Sequence, residues 1–476
     1  MKLLVSLASM LAAVAAFQIE VEPLVFLMAA CNSARQTVTP QLMQEKMERT
    51  YTAPENLTGK NLKKFYNKKM VYWDQYYEYI NMPLSCILGI LYGAYSDYMG
   101  RKLPLLIGMA SVAVDTAFHM LVLGPSVDLS LYFLLVDAFF TAFMGNFSLF
   151  MSACNAYMAD TFPVKKTLSK RMVIVSVSFS AGALSGSSLT RAVVKHLSPI
   201  KVMLISQCCV SLAVLYALAV IKVKEPGKKS LLTDQGEEHP EIRQQKKFIS
   251  PLHVFKNSIK SFADSVKIFL VPREGHRRCF LYLTILVAFL DQFVFGEEKS
   301  LIGTYTRLPP FNWKTEDYAL YKTIRSINRK YFSKIFWMFF GLLVFKQFLK
   351  LTDTMIIVLS ILSMGLCGLV VGLAQKSWQI YVSIPIGGLH GLLNPLTLTF
   401  ISCLVNADEV GKAFAVNSIG GKLAGIAQNA ILNNIYTATI VWWQGFVWVL
   451  MAGISVVAAL IILVIHFVAK REKIGA

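Results

Sequence analysis

The sequence predicts an all-α polytopic membrane protein, with twelve transmembrane helices in two six-helix bundles joined by a hydrophilic linker. Three observations carry that prediction. Of 476 residues, 55% are hydrophobic and only 16% are charged, and the mean hydropathy is +0.52. A soluble globule lacks the polar side chains to cover so much apolar surface, whereas a polytopic chain turns it towards lipid. Apolar runs of about 20 residues, the length that crosses ~30 Å of hydrocarbon as a helix, recur along the chain. One long hydrophilic stretch, Lys224 to Arg278, divides these runs six and six.

The same composition excludes other classes. A formal net charge of +19 would point to nucleic acid in a soluble chain, but here it belongs to cytoplasmic loops, and no nucleic-acid partner is expected. Cys31, Cys86, Cys154, Cys208, Cys209, Cys279, Cys367 and Cys403 all fall in or beside apolar runs. They read as small packing residues rather than disulfides or metal ligands. There is no HExxH, no GxSxG and no P-loop, so neither an enzyme nor an ATP-driven pump is expected. No cofactor or metal is expected either.

Residues 1–22 read as an N-terminal extension or signal-like segment, with Lys2, an apolar core and a candidate cleavage site at Ala13-Val14-Ala15-Ala16. Cleavage would upset the parity of a twelve-helix chain that starts in the cytosol, which favours retention. The first bundle spans 23–223. Its first helix, from Glu22-Pro23 to near Met43, carries Asn32, Arg35 and Gln36 on one face, at i, i+3 and i+4. A guanidinium at mid-membrane depth persists mainly where it faces a cavity or a partner. Arg35, with Asn32 and Gln36, is therefore a substrate-site candidate aimed at an anionic group. Alternatively Arg35 lies near the end of the span and snorkels to headgroups.

A polar loop is expected over 44–75, carrying the sequon Asn56-Leu57-Thr58. Asn56 is a usable glycosylation acceptor, which would make this loop exoplasmic. The second match, Asn146-Phe147-Ser148, lies inside an apolar run and should be inaccessible. One span later comes Gly93-Ala94-Tyr95-Ser96-Asp97-Tyr98-Met99-Gly100-Arg101-Lys102, a short polar hinge placed in the cytoplasm. Gly93 lets another helix approach closely, and Gly100 can take the positive φ of a tight turn. Arg101 and Lys102 are cytoplasmic flank cations, and Asp97 can pair with Arg101 or sit near a helix N-terminus.

The third and fourth spans are expected near 103–124 and 130–158. The third holds Asp115 and His119 at i, i+4, suited to a proton relay or a hydrogen-bonded pair. The fourth holds Asp137 and Asn146. The fifth, 172–194, follows a basic loop and carries Gly182-x-x-x-Gly186, a pattern for close helix packing. The sixth ends near Val223. The linker 224–278 ends in Arg273, Arg277 and Arg278, a cytoplasmic mark.

The second bundle spans 279–468, with a tail at 469–476. Its first helix, near 279–298, holds Asp291, a carboxylate suited to proton coupling because burial favours its protonated form. Glu297 and Glu298 either join it or sit among headgroups. A basic polar loop over 299–330 runs against the positive-inside rule. Further spans are expected near 332–350, 353–374, 378–402, 411–436 and 442–468. Pro385, Gly387, Gly388, His390, Gly391, Asn394 and Pro395 predict a broken helix, whose freed backbone can meet substrate. His390 and Asn394 are candidates there. Asn417 and Lys422 are candidates on the following helix, Lys422 either as a second cavity cation or snorkelling.

The spacing Gly-x-x-x-Asp-x-x-Gly-Arg-Lys at 93–102 resembles the signature of the major facilitator superfamily, in the loop after the second helix. The resemblance implies that Gly93, Asp97, Gly100, Arg101 and Lys102 form a conformational latch between the two halves. Val21-Glu22-Pro23-Leu24-Val25-Phe26-Leu27 is similar to the start of the proton-coupled folate transporter and thymic stromal cotransporter family. So is the stretch from Leu404-Val405 through Glu409-Val410-Gly411-Lys412-Ala413-Phe414 to Asn417-Ser418. This implies a secondary active, proton-driven transporter working by alternating access, for a small anionic or amphipathic, folate-like solute. The chain departs from the folate importer at three matched positions, with Ser176, Asn146 and a residue near Leu398 where that protein has ionisable groups. It also has no histidine in 279–298. Muropeptides or steroid conjugates, at the surface or in lysosomes, therefore stay open as cargoes. A non-transporting sensor on the same scaffold would have shed its intramembrane charges, yet Arg35, Asp115, Asp291 and Lys422 are present. No [DE]xxxL[LI] address appears in the cytoplasmic stretches, which favours the plasma membrane over endosomes or lysosomes. Oligomeric state is not legible.

Overall fold

The computed structural model describes residues 21–55, 57–127, 129–161, 165–221, 272–327, 345, 348–406 and 409–472. Asn56, the signal-like segment and most of the central linker lie outside the described residues.

The first bundle comprises α1 (Glu22–Thr50), α2 (Gly59–Met99), α3 (Lys102–Leu123), α4 (Phe133–Phe143), α5 (Asn146–Thr161), α6 (Lys165–Val193) and α7 (Pro199–Val220). Pro23 and Pro199 open α1 and α7, where a missing N–H costs nothing. The second comprises α8 (Arg277–Tyr305), α9 (Thr315–Ile327), α10 (Asp353–Leu373), α11 (Ser377–Ile386), a 3₁₀ turn (Gly387–Leu392), α12 (Leu393–Leu404), α13 (Val410–Thr439) and α14 (Phe446–Arg471). Among the described residues, six helical stretches are long and apolar enough to cross a membrane by length and composition.

Two expected loops are largely helical. Over 44–75, α1 continues to Thr50 and α2 starts at Gly59, leaving a short connector. The polar residues there bond along the helix: Gln41 Nε2 donates to Glu45 Oε1 at 2.8 Å, and Gln44 Nε2 to Glu48 Oε1 at 2.9 Å. Such i,i+4 pairs carry a helix past the apolar region. Over 299–330, α8 runs to Tyr305 and α9 begins at Thr315, with Glu316 and Asp317 in its first turn, where negative charge suits the helix dipole. Lys322 and Arg325 are thus helix residues, which explains why a supposed exoplasmic loop looked so basic.

Several expected features are realised. Gly100 has φ +91° between α2 and α3, so the predicted hinge is two residues long. The fourth span breaks at Gly145 (φ +78°) and Asn146 (φ +58°), two successive left-handed residues that separate α4 from α5. The glycine- and proline-rich stretch of the tenth span becomes the 3₁₀ turn.

Gly182 and Gly186 set α6 directly on α1. A Cβ at Gly182 would stand 2.1 Å from the Phe26 carbonyl oxygen, and one at Gly186 2.1 Å from that of Ala30. Gly186→Leu is accordingly expected to abolish monodisperse protein in size-exclusion chromatography, because a backbone cannot yield as a side chain does. Normal yield and elution would contradict this packing.

Each bundle carries an apolar cluster towards each end. In the first, one includes Leu24, Leu105, Phe150 and Val210, and the other Val38, Met70, Leu134 and Met203. In the second, one includes Leu281, Ile357, Phe400 and Ile465, and the other Tyr305, Tyr321, Leu432 and Trp448. Buried ionisable groups lie between them. Near the hinge end, Arg171 of α6 pairs with Glu22 of α1 at 3.1 Å, and Arg273 pairs with Glu409, the residue before α13, at 2.9 Å. Removing one partner of such a buried pair costs about 3–5 kcal/mol. Glu22→Gln is expected to lower the thermal midpoint clearly, while the swap Glu22→Arg with Arg171→Glu recovers part of it. Unchanged melting in Glu22→Gln would contradict the role of the pair.

The bundles join away from the hinge. Arg307 Nε donates to Gln44 Oε1 at 2.6 Å, Lys63 Nζ to Asn312 Oδ1 at 2.8 Å, and Asn67 Nδ2 to the Thr304 carbonyl at 2.8 Å. Thr315 bonds Gln41, and Lys195 pairs with Glu316 at 3.1 Å. Helices α2 and α13 meet where Gln75 Nε2 donates to the Asn429 carbonyl at 3.4 Å. On the hinge side of that meeting, a Cβ added at Gly89 or Gly420 would find nothing within 4 Å. The described state is closed at the far end.

Candidate functional site: a buried ion network in each bundle

The ionisable side chains that the sequence scatters over α1, α3 and α4 converge at one point. Arg35 Nη2 lies 2.6 Å from Asp115 Oδ2 and donates to Asn32 Oδ1 at 3.2 Å. Both ends of the ion pair are largely buried, with side-chain exposures of 13% and 14%. Arg35 is therefore partnered across helices and does not snorkel. The i,i+4 spacing of α3 brings His119 Nδ1 to 3.0 Å from Asp115 Oδ1, and the same nitrogen lies 3.1 Å from Asp137 Oδ2 on α4. It also stands 2.9 Å from the Asp115 carbonyl oxygen. A single N–H cannot serve three oxygens. That is why Asp137, wholly buried, has neither carboxylate oxygen in a directed hydrogen bond despite its nearness to His119.

The network is held from α2. Tyr77 hydroxyl donates to Asp115 Oδ1 at 3.4 Å and shares a hydrogen bond with Thr141 at 3.2 Å, and its ring meets His119 edge-on. Asn81 Nδ2 donates to Thr141 Oγ1 at 2.9 Å, and Asn146 Nδ2 donates to Asn81 Oδ1 at 2.5 Å. The left-handed kink at Asn146 thus aims its amide at α2.

Charge counting shows what the cluster can do. Arg35 is always cationic, and Asp115 and Asp137 are two carboxylates. With His119 neutral the four sum to −1, and with one proton added they sum to zero. The cluster is neutral when it holds one proton, and burial favours that neutrality. Asp115, His119 and Asp137 offer ligand atoms all within 4.8 Å of one another. The Arg35 guanidinium already supplies the positive charge there.

The second bundle holds a simpler pair. His390, in the 3₁₀ turn, places Nε2 2.9 Å and 3.1 Å from the two oxygens of Asp291 on α8. His390, a substrate candidate by sequence, is thus the partner of the proton-coupling candidate. A third element joins the bundles. Lys322 on α9 donates to the Ser33 carbonyl on α1 at 3.2 Å, and Thr323 donates to Ser187 Oγ on α6 at 3.1 Å.

Other predicted residues fall elsewhere. Gln36, on the same helix face as Asn32 and Arg35, is exposed. Asn394 and Lys422 are exposed as well. Asn417 is half-buried with Oδ1 lacking a partner. Lys102 donates to the Leu218 carbonyl at 3.0 Å within its own bundle. Gly93 and Asp97 stand in the last turns of α2, and their side-chain surroundings lie outside the described residues. Lys322, Tyr77 and Asn81 were missed by sequence reasoning. For Lys322 a signal existed, since Tyr318, Ala319 and Tyr321 make an apolar face beside it.

A family model described as Major Facilitator Superfamily matches residues 80–429. The chain belongs to the Major Facilitator Superfamily. It is accordingly a membrane transporter for small solutes, not an enzyme, and it has the major facilitator fold. Among curated relatives, it is 30% identical to the probable peptidoglycan muropeptide transporter SLC46 of Drosophila melanogaster, over 36% of this chain and 32% of that protein. It is 23% identical to the lysosomal proton-coupled steroid conjugate and bile acid symporter SLC46A3 of Mus musculus, over 77% of this chain and 74% of the relative. With the Gallus gallus protein of the same name the identity is 21% over 92% and 91%. Among solved structures, a peptide transporter POT in complex with sulfate matches with TM-score 0.64 at 12% identity, covering 96% of each chain. The human organic anion transporter MFSD10 matches with TM-score 0.55 at 14% identity, over 93% and 98%. These likenesses show the fold of this facilitator alone.

Proposed function

We propose that this facilitator is a proton-coupled transporter of small organic anions, in which the Asp115 carboxylate and the cargo's anionic group compete for Arg35. The observation that carries the reading is the Arg35–Asp115 pair at 2.6 Å, continued through His119 to Asp137. While Asp115 is ionised, it occupies the guanidinium. A proton arriving on Asp115 cancels that attraction and frees Arg35 for an anionic group of the cargo. Releasing the anion lets Asp115 return its proton and re-pair. Anion and proton then cross together, because neither a free buried guanidinium nor an unpaired buried carboxylate is stable. Tyr77 and Asp137 face the same point and set how readily the proton arrives. Asp291 and His390 form a second proton-holding pair in the other bundle.

The relatives, named for muropeptides, steroid conjugates and bile acids, support an amphipathic anion as well as the folate-like solute that the sequence suggests. An acidic exoplasmic or lumenal side would drive such transport at either the plasma membrane or the lysosome, and imaging of a tagged protein decides between them. The test is uptake of a labelled panel, comprising a reduced folate, a steroid sulfate and an anionic muropeptide. It is run at about pH 5.5 and about pH 7.4 in cells where surface protein is verified. Acid-stimulated uptake of at least one supports the reading, and uptake of none at either pH, with protein at the surface, opposes it.

A further inference from the structure

Lys322 is a lysine with no carboxylate partner among the described residues. Its ammonium donates to a backbone carbonyl, that of Ser33, and lies 5.8 Å from the centroid of the Tyr318 ring. Arg35 stands two residues from Ser33 along α1. Lys322 comes from the second bundle, whereas Ser33 and Arg35 belong to α1 of the first. Arg35 in turn keeps an unused donor, since its buried Nε has no hydrogen-bond partner. Two buried cations on opposite bundles, one with a free donor edge and the other unneutralised, make a site that a protein ordinarily reserves for an anionic ligand.

We propose that Lys322 and Arg35 form a two-cation clamp, one jaw from each bundle, which selects cargo bearing a doubly charged anionic group over cargo bearing a single charge. The proposal rests on reading Arg35 as the anion site. A dianionic group, such as a phosphate monoester or two neighbouring carboxylates, neutralises both jaws. A monoanion leaves one positive charge uncompensated in a site with little water, which costs free energy. Because the jaws sit on different bundles, the same group also ties the bundles together where they already meet, through Lys322 to Ser33 and Thr323 to Ser187.

The test uses purified full-length protein and a matched pair of ligands, oestradiol 3-phosphate and oestradiol 3-sulfate. They share skeleton and headgroup shape, but the phosphate carries about −1.5 to −2 near neutral pH against −1 for the sulfate. Affinities are read by tryptophan fluorescence at pH about 7.4. The wild-type protein is expected to bind the phosphate about tenfold more tightly, one decade of affinity. Lys322→Gln brings that ratio to near one with little change for the sulfate, Lys322→Arg keeps it, and Arg35→Gln weakens both ligands. A ratio near one in the wild-type protein overturns the clamp without any variant. A ratio unchanged in Lys322→Gln, with both affinities still lost in Arg35→Gln, overturns the clamp and leaves the anion site standing. Binding of neither ligand by wild type, or binding undiminished in Arg35→Gln, overturns both.

Discussion

Arg35→Gln is expected to reduce anion uptake by about 100-fold, the loss that follows from removing a charged hydrogen-bond donor worth about 3 kcal/mol to a bound anion. The variant also strands Asp115, whose carboxylate stands 2.6 Å from the guanidinium in the wild-type protein. Breaking a buried pair from one side destabilises by about 3–5 kcal/mol, so lost uptake alone would not separate chemistry from folding. The double variant Arg35→Gln with Asp115→Asn separates them. Two neutral amides of similar shape can bond each other and relieve the stranded charge, so thermal stability should recover most of the loss. Uptake should not recover. A double variant that transports would show that Arg35 only holds the bundle together.

Asp115→Asn on its own is expected to uncouple transport. The amide cannot carry the proton that the carboxylate takes up, and it leaves Arg35 permanently available to an anion. In proteoliposomes, exchange of labelled for unlabelled anion across equal pH should persist. Accumulation driven by a proton gradient should fall by at least about tenfold, since the variant no longer links the two equilibria. Retained accumulation would move the coupling step to Asp291 and His390. Those residues form a pair with oxygens at 2.9 Å and 3.1 Å from the imidazole.

How much of this was legible in the sequence depends on distance along the chain. The hinge at Gly100, the close packing at Gly182 and Gly186 and the broken tenth span are local patterns, in which the residue type fixes the backbone. Asp115 and His119 could be paired from spacing alone, being one turn apart. That Arg35 meets Asp115, that Asp137 joins them and that His390 meets Asp291 could not, because each joins helices whose mutual rotation no single sequence reveals. Spacing puts Asn32, Arg35 and Gln36 on one face, but it could not say that Arg35 reaches Asn32 and Asp115 while Gln36 is exposed. Lys322 was hidden for another reason. Hydropathy marks the apolar middle of a span and not the polar turns that continue it, so α9 read as loop.

The central claim, that proton and anion share the Arg35–Asp115–His119–Asp137 cluster, is tested most directly by following both at once. Purified protein is sealed into liposomes with a pH-sensitive dye inside, and labelled oestradiol sulfate is added outside with no initial pH gradient. The account predicts internal acidification in step with anion entry, abolished in Asp115→Asn while anion exchange continues. Anion entry with no change in internal pH, in liposomes shown to hold a gradient, would contradict it.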